Sequence, residues 1–164
     1  MDLLPTNAAH WHLVLNHLPV VGSLAALLLL TWAFIKNTDE SKRIALAAVV
    51  ILALVSIPAF LTGEPSERFL KGLPGISKRW MSSHEEMAEN AMKTAVIAGV
   101  LALAALVYFR KARSIPRWAM AVVLAATVAV AGSMSITARH GGKIHHPEIL
   151  NGAATETAPT EIEH

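Results

Sequence analysis

The hydrophobic residues of this chain fall into four long blocks that are separated by polar segments. The blocks are Leu13–Ile35, Ile44–Leu61, Ala91–Phe109 and Trp118–Ala138. Each is about as long as the ~20 apolar residues that a helix needs to cross a bilayer. Lys93 is the only Asp, Glu, Lys or Arg residue within them. The pattern predicts an integral membrane protein whose four transmembrane helices span about 11–35, 44–62, 84–109 and 117–139.

The polar connections predict how these helices are arranged. The short segments 36–43 and 110–117 together hold seven Lys or Arg residues, and their only acids are Asp39 and Glu40. Short loops rich in Lys and Arg stay on the cytoplasmic side. Short connections also make consecutive helices antiparallel neighbours. We therefore expect an all-α, up-down four-helix bundle in a bacterial inner membrane, with the N- and C-termini outside.

Residues 1–150 are expected to form this transmembrane domain, and residues 151–164, rich in Ala, Thr and Glu, a disordered periplasmic tail. On the outer side, Glu64–Lys71 is predicted to form a short surface helix. Ser83 and Glu86 have capping-box spacing, which predicts the start of the third transmembrane helix. Gly141-Gly142 is expected to end the fourth helix, and Pro58 to kink the second near its outer end.

All histidines are predicted to lie on the outer side. They are His10, His12, His17, His84, His140, His145, His146 and His164. His17 falls inside the first hydrophobic block, where an ionisable side chain is costly and therefore indicates a functional site. The plainer interpretation is a neutral ring that donates to a backbone carbonyl. His84 is predicted in the first turn of the third helix, where the alternative is a solvated side chain.

The spacing of the histidines limits which of them act together. His12 and His17 are five residues apart, about 140° around a helix, so they cannot serve one partner on one face. His146 follows the predicted break at Gly141-Gly142, and His140 and His145 flank the same turn. Three helix ends would thus bring imidazoles to one level of the membrane.

Imidazole suits haem iron, copper, zinc and nickel. A low-spin haem b needs two axial ligands on opposing segments, whereas a tight zinc site needs three or four ligands within a few ångströms. The chain has no cysteine, which excludes thiolate sites, disulfides and covalent c-type haem. Its net charge of +2 does not indicate a nucleic-acid partner. The helix centres hold no ionisable residue, so we expect no transport across the whole membrane.

Four motifs occur in order along almost the whole chain. They are His12-Leu-Val-Leu-Asn16-His17-Leu-Pro19, Thr62-Gly63-Glu64-Pro65-Ser66-Glu67, His84-Glu85-Glu86 and Gly141-Gly142-Lys143-Ile144-His145-His146-Pro147-Glu148-Ile149. The sequence resembles a family of small four-helix bacterial inner-membrane proteins of unknown function. The resemblance implies the four-helix fold and aligns the family's histidines with His12, His17, His84 and His146. It also implies a periplasmic redox partner, while His140 and His145 look peculiar to this sequence.

The leading hypothesis is a b-type haem membrane subunit, which passes electrons between the quinone pool and a periplasmic redox protein or a larger membrane complex. It would bind one or two haems, with quinone as a further ligand, and it would be an electron-transfer subunit rather than an enzyme by itself. His17 and His84 are the first choice of ligands, followed by His12 and His146, with Glu85 or Glu148 orienting a ligating ring. The alternatives are a copper or zinc site used in metal handling or cofactor assembly, and a purely structural anchor.

Overall fold

The computed structural model describes residues 7–70 and 78–145, and this part of the chain is helical almost throughout. The helices are α1 (Ala8–Leu15), α2 (His17–Lys36), α3 (Asp39–Leu61), α4 (Gly63–Leu70), α5 (Lys78–Tyr108) and α6 (Arg117–His145). No β-strand occurs within the described ranges. The all-α prediction is therefore confirmed. The predicted tail, 151–164, and His146 lie outside the described residues.

Four helical stretches are long and apolar enough to cross a membrane. They are Ala9–Lys36, Asp39–Arg68, Lys78–Tyr108 and Arg117–Ile144. Large apolar side chains cover the outside of the bundle; Leu28, Ile35 and Val100, for example, are 71%, 76% and 60% exposed. Such a surface would be a liability in water, but it is the natural contact surface for lipid chains. These findings agree with a multi-pass membrane protein.

The four long helices form a closed ring in which each has two neighbours. α2 packs against α3 and α6, and α5 packs against the same two helices. Nine of the eighteen residues in the buried core cluster are alanines, including Ala26, Ala45, Ala98 and Ala102, which are all almost completely buried. Small residues allow membrane helices to approach closely, and lipid provides no hydrophobic force to press them together. Ala and Gly in the sequence thus serve tight helix packing.

At one end of the bundle, side chains of α3 hold the connection between α5 and α6. Lys42 is 3% exposed, and its Nζ donates to Ile115 O at 2.7 Å and to Ser114 Oγ at 3.2 Å. The Asp39 carboxylate accepts from Ile115 N at 3.0 Å, and Arg43 Nη2 donates to Phe109 O at 3.1 Å. We refer to this end, residues 36–43 and 108–118, as the loop end. These bonds hold the turn to α3, and the buried Lys42 in particular needs its partners because an unpaired buried charge is costly.

Three helix boundaries differ from the sequence-based predictions. The first hydrophobic block is divided at Asn16 into α1 and α2. α5 begins at Lys78, so the expected capping box at Ser83 is wrong: Met81 is already buried inside the helix. The predicted break at Gly141-Gly142 is also wrong, because α6 continues to His145. By contrast, α4 confirms the short helix after Thr62. Pro58 lies inside α3, and its kink stays a prediction.

Candidate functional site

The opposite end of the bundle brings together imidazoles from several helices. We define the histidine end as α1, α4, the last turn of α3, the first turns of α5 and the last turns of α6. α1 packs mainly against α4, which follows α3 directly. This arrangement places His12 of α1 against the last turn of α3. Separately, the packing of α5 on α6 places His84 of α5 against the last turns of α6.

His12 is half-buried, and its Nδ1 lies within hydrogen-bond distance of two oxygen atoms. Ala59 O and Thr62 Oγ1 both lie 3.2 Å from Nδ1. The Thr62 hydroxyl donates its hydrogen to a backbone carbonyl, with Ala59 O at 2.9 Å. The Thr62 oxygen can therefore accept a hydrogen bond from His12 Nδ1. Two acceptors at Nδ1 place the proton of a neutral ring on that atom. Nε2 of His12 therefore carries the lone pair.

His84 has the same arrangement on another pair of helices. Its Nδ1 lies 2.9 Å from Thr137 O, and a carbonyl oxygen can only accept. The neutral ring therefore also presents a lone pair at Nε2. Gly141 lies against this ring: a Cβ at that position would come within 3.1 Å of His84 Cε1. The glycine that was expected to end the helix instead lets the α6 backbone approach the imidazole.

The two rings are held by matching hydrogen bonds at Nδ1, although they belong to helices far apart in the sequence. Donation of one ring nitrogen to a carbonyl, with the lone pair on the other, is how metal-ligating histidines are usually held. The backbone thus fixes the tautomer and orientation of both rings without a metal being needed to do so. Each of the two rings, on a different helix, is therefore held in the manner of a ligating imidazole.

A second cluster lies beside His84 and was missed by the sequence reasoning. His140 meets Trp80 edge-on at 5.5 Å between ring centroids, and its Nδ1 lies 2.8 Å from Ser83 Oγ. Lys143 is only 7% exposed, and its Nζ lies 3.9 Å above the Trp80 ring. Ser83 directly precedes His84, and His140 directly precedes Gly141, which lies against the His84 ring. The signal was available in the three- and four-residue spacings, which put these side chains on facing helix surfaces.

The other predicted ligands are placed differently. His17 is the first residue of α2 and is exposed, and it takes no part in the hydrogen bonds that hold His12 and His84. His10 is exposed on α1. His145 ends α6, and His146 and Glu148 lie outside the described residues. The structure thus gives His84 and His12, the second-choice ligand, matching hydrogen bonds at Nδ1, and His17 takes no part in them.

One buried acceptor near these residues has no partner. Asn16 Oδ1, at the break between α1 and α2, is buried and makes no hydrogen bond with any residue the structure describes. A buried amide oxygen without a donor costs roughly 1–3 kcal/mol. The position is one turn from His12, so a donor group bound at this end would relieve that cost.

Within residues 7–70 and 78–145, no group of three or more His, Asp or Glu side chains is arranged to hold a metal ion. A zinc-type centre with three or four protein ligands therefore has no site in the described part of the chain. No protein-family model, curated protein or solved structure matches this sequence. Function must accordingly be argued from the geometry of the histidine end.

Proposed function

We propose that this protein is a b-type haem-binding subunit of a bacterial inner-membrane electron-transfer complex, with His12 and His84 as the axial ligands. The observation that carries the proposal is the matched pair of imidazoles on α1 and α5. Each donates Nδ1–H to backbone or hydroxyl oxygen of another helix and keeps Nε2 for a ligand. Two such nitrogens are the complete axial ligand set of a low-spin haem.

The number of ligands favours haem over the zinc alternative. Bis-histidine haem needs two imidazoles from the protein, and its other four iron ligands come from the macrocycle. A tight zinc site needs three or four protein ligands, a number that the described residues do not gather in one place. When bound, haem of this kind supplies one-electron transfer and has no open position for oxygen.

The protein's own contribution is to hold the two rings before any cofactor arrives. Ala59 and Thr62 fix His12, and Thr137 fixes His84, so neither ring must be ordered on binding. A hydrogen bond at Nδ1 also raises the basicity of Nε2 as a ligand. Gly141 leaves room for the His84 ring, because any larger residue would press on it.

The placement at one end of the bundle favours exchange with a partner outside the membrane. The loop end carries the concentration of Lys and Arg that marks the cytoplasmic side, so the histidine end is assigned to the periplasm. The partner is then a periplasmic redox protein or a larger membrane complex, and the other reactant is the quinone pool.

Asn16 supports a place for quinol at the same end. The buried Asn16 Oδ1 has no hydrogen-bond donor, and a quinol hydroxyl could donate to it. We expect Asn16→Leu to slow reduction of the protein by a soluble quinol analogue without changing its absorption spectrum. An unchanged reduction rate would remove Asn16 from the quinol site and leave the haem assignment intact.

The haem assignment is tested with absorption spectra of purified His12→Gly, His84→Gly, His10→Gly and His17→Gly variants. The first two should lose the low-spin spectrum, and added imidazole should restore it by filling the vacated position. His10→Gly is the matched control, since His10 is exposed two residues from His12 on the same helix. Helical circular dichroism checks that each variant is folded.

The His17→Gly spectrum distinguishes the pairing of His17 with His84, expected from the sequence, from the proposed pairing of His12 with His84. Loss of the low-spin bands there, with normal bands in His12→Gly, would support the pairing of His17 with His84 expected from the sequence and refute ours. Stoichiometric copper or zinc without haem bands would support metal handling. Neither metal nor haem would support a structural anchor.

A further inference from the structure

The loop end carries an exposed group of basic side chains that the proposed electron transfer does not use. Two bases at this end, Lys42 and Arg43, are engaged in holding the turn between α5 and α6. Five others are exposed: Lys36, Arg110, Lys111, Arg113 and Arg117. We call these five the exposed basic group. The hydrogen bonds that hold the turn are made by Lys42, Arg43 and Asp39 and do not use these five side chains.

The acids of the loop end do not neutralise this group. Asp39 is bound to Arg43 at 2.6 Å and accepts from Ile115 N, so its carboxylate is directed to the turn. Glu40 is the one other acid in the loop segments. The exposed basic group therefore keeps an excess of positive charge, which attracts an anionic partner.

Aromatic residues place the exposed basic group at the level of lipid headgroups. Tyr108 and Trp118 are 81% and 66% exposed at the ends of α5 and α6, and Trp32 is 49% exposed near the end of α2. Exposed Trp and Tyr at helix ends sit at the boundary between lipid chains and headgroups. Arg117 directly precedes Trp118, and its guanidinium lies 4.7 Å from the Phe34 ring. At that boundary the bases would be within reach of phosphates on the adjacent leaflet.

The turn presents these bases in a fixed arrangement. Two side chains of α3 hold the two sides of the turn. Lys42 Nζ donates to Ile115 O at 2.7 Å, and Arg43 Nη2 donates to Phe109 O at 3.1 Å. Arg110, Lys111 and Arg113 lie between these two anchored carbonyls. A basic segment held in this way loses less conformational freedom on binding than a free chain does.

We propose that the exposed basic group binds the headgroups of anionic phospholipids, with Arg110, Lys111 and Arg113 at its centre. The inference is independent of the haem proposal, since it rests on the opposite end of the bundle. It predicts a ring of anionic lipid that stays with the protein at the loop end in preference to zwitterionic lipid. The attraction should weaken as salt concentration rises, because exposed charges are screened.

The test uses Trp118 as a local reporter, with Trp11, Trp32 and Trp80 changed to Phe. The protein is reconstituted in bilayers that contain a small fraction of brominated phosphatidylglycerol or brominated phosphatidylcholine, and quenching of Trp118 fluorescence is measured. Anionic brominated lipid should quench more strongly. A base near an anionic surface contributes up to roughly a fivefold attraction, so Arg110→Gln/Lys111→Gln/Arg113→Gln should remove most of the preference for the anionic lipid.

The matched control is Lys78→Gln/Arg79→Gln/Arg139→Gln, which removes the same charge from exposed positions at the histidine end. It should leave the Trp118 preference unchanged. Equal quenching by the two lipids in the parent protein would overturn the proposal, as would an equal loss in both triple variants. Displacement by millimolar glycerol phosphate would assign the group to a soluble anion instead. Quenching by zwitterionic lipid should match in all variants, which shows that Trp118 keeps its place.

Discussion

Gly99 of α5 faces Ala53 of α3 at a close contact between the two helices. A Cβ added to Gly99 would overlap the Ala53 Cβ, far inside the ~3.5–4.0 Å at which carbon atoms make favourable contact. Neither position has a rotatable bond that could relieve the overlap. Gly99→Ala must therefore separate the two helix backbones, and separation breaks the surrounding Ala packing.

Overpacking of this kind costs about 1–3 kcal/mol, even though alanine is the better helix former. We expect Gly99→Ala to lower the free energy of unfolding by about that amount. Gly132→Ala is the control, because a Cβ on Gly132 meets no atom within 4 Å. That variant should be neutral or slightly more stable, since only the helix preference of alanine remains.

Ala53→Gly provides the second half of the experiment. Alone it should cost about 1 kcal/mol, as glycine is a poorer helix former and leaves a small void. Combined with Gly99→Ala it moves the methyl group to the other helix and removes the overlap. The double variant should then be more stable than the sum of the single changes predicts, by about 1–3 kcal/mol.

Unfolding is followed by circular dichroism in mixed micelles as the fraction of sodium dodecyl sulfate increases. If Gly99→Ala unfolds at the same detergent fraction as Gly132→Ala, or if the two effects at Gly99 and Ala53 simply add, the helices do not meet as described. Either result would refute the close contact between α3 and α5.

Three further predictions concern the two ends of the bundle. Lys42→Met should lower stability by about 1.5–3 kcal/mol in the same assay, because Ile115 O loses a charged donor, whereas exposed Lys111→Met should be nearly neutral; equal effects would contradict the buried role of Lys42. A reporter active only in the periplasm should function after residue 150 and a cytoplasm-only reporter at Thr38, and the reverse pair would invert the proposed orientation. Gly141→Ala should lower haem content or broaden the low-spin spectrum by displacing His84, while Gly132→Ala should not; identical spectra would argue against contact between Gly141 and the ring.

The long apolar helices could be predicted because a helix in lipid requires a long uncharged stretch, and such stretches can be recognised from residue composition alone. Their ends were harder to predict. The capping-box spacing at Ser83 was overridden by the packing of Trp80 and Met81, which extends α5 outward to Lys78. Gly141 looked like a break because glycine is a poor helix former in water. In a helix packed against a ring, its missing Cβ provides the space that the ring occupies.

The choice among histidines depended on information that the sequence lacks. His17 ranked first because of its expected depth, but depth does not reveal which side of a helix faces the bundle. His12 and His84 are distinguished by contacts with Ala59 O and Thr137 O, which are backbone atoms that any residue could provide. Only the relative position of α1 and α3, and of α5 and α6, brings these acceptors to the rings.

The measurement that tests the central claim most directly is a reduced-minus-oxidised visible spectrum of the protein purified from membranes under conditions that supply haem. We predict a strong Soret band and a sharp α-band on reduction, with low-spin signals in the electron paramagnetic resonance spectrum of the oxidised form, as two axial imidazoles require. Purified protein with native helicity but without these bands, even after haem is added, would contradict the proposal.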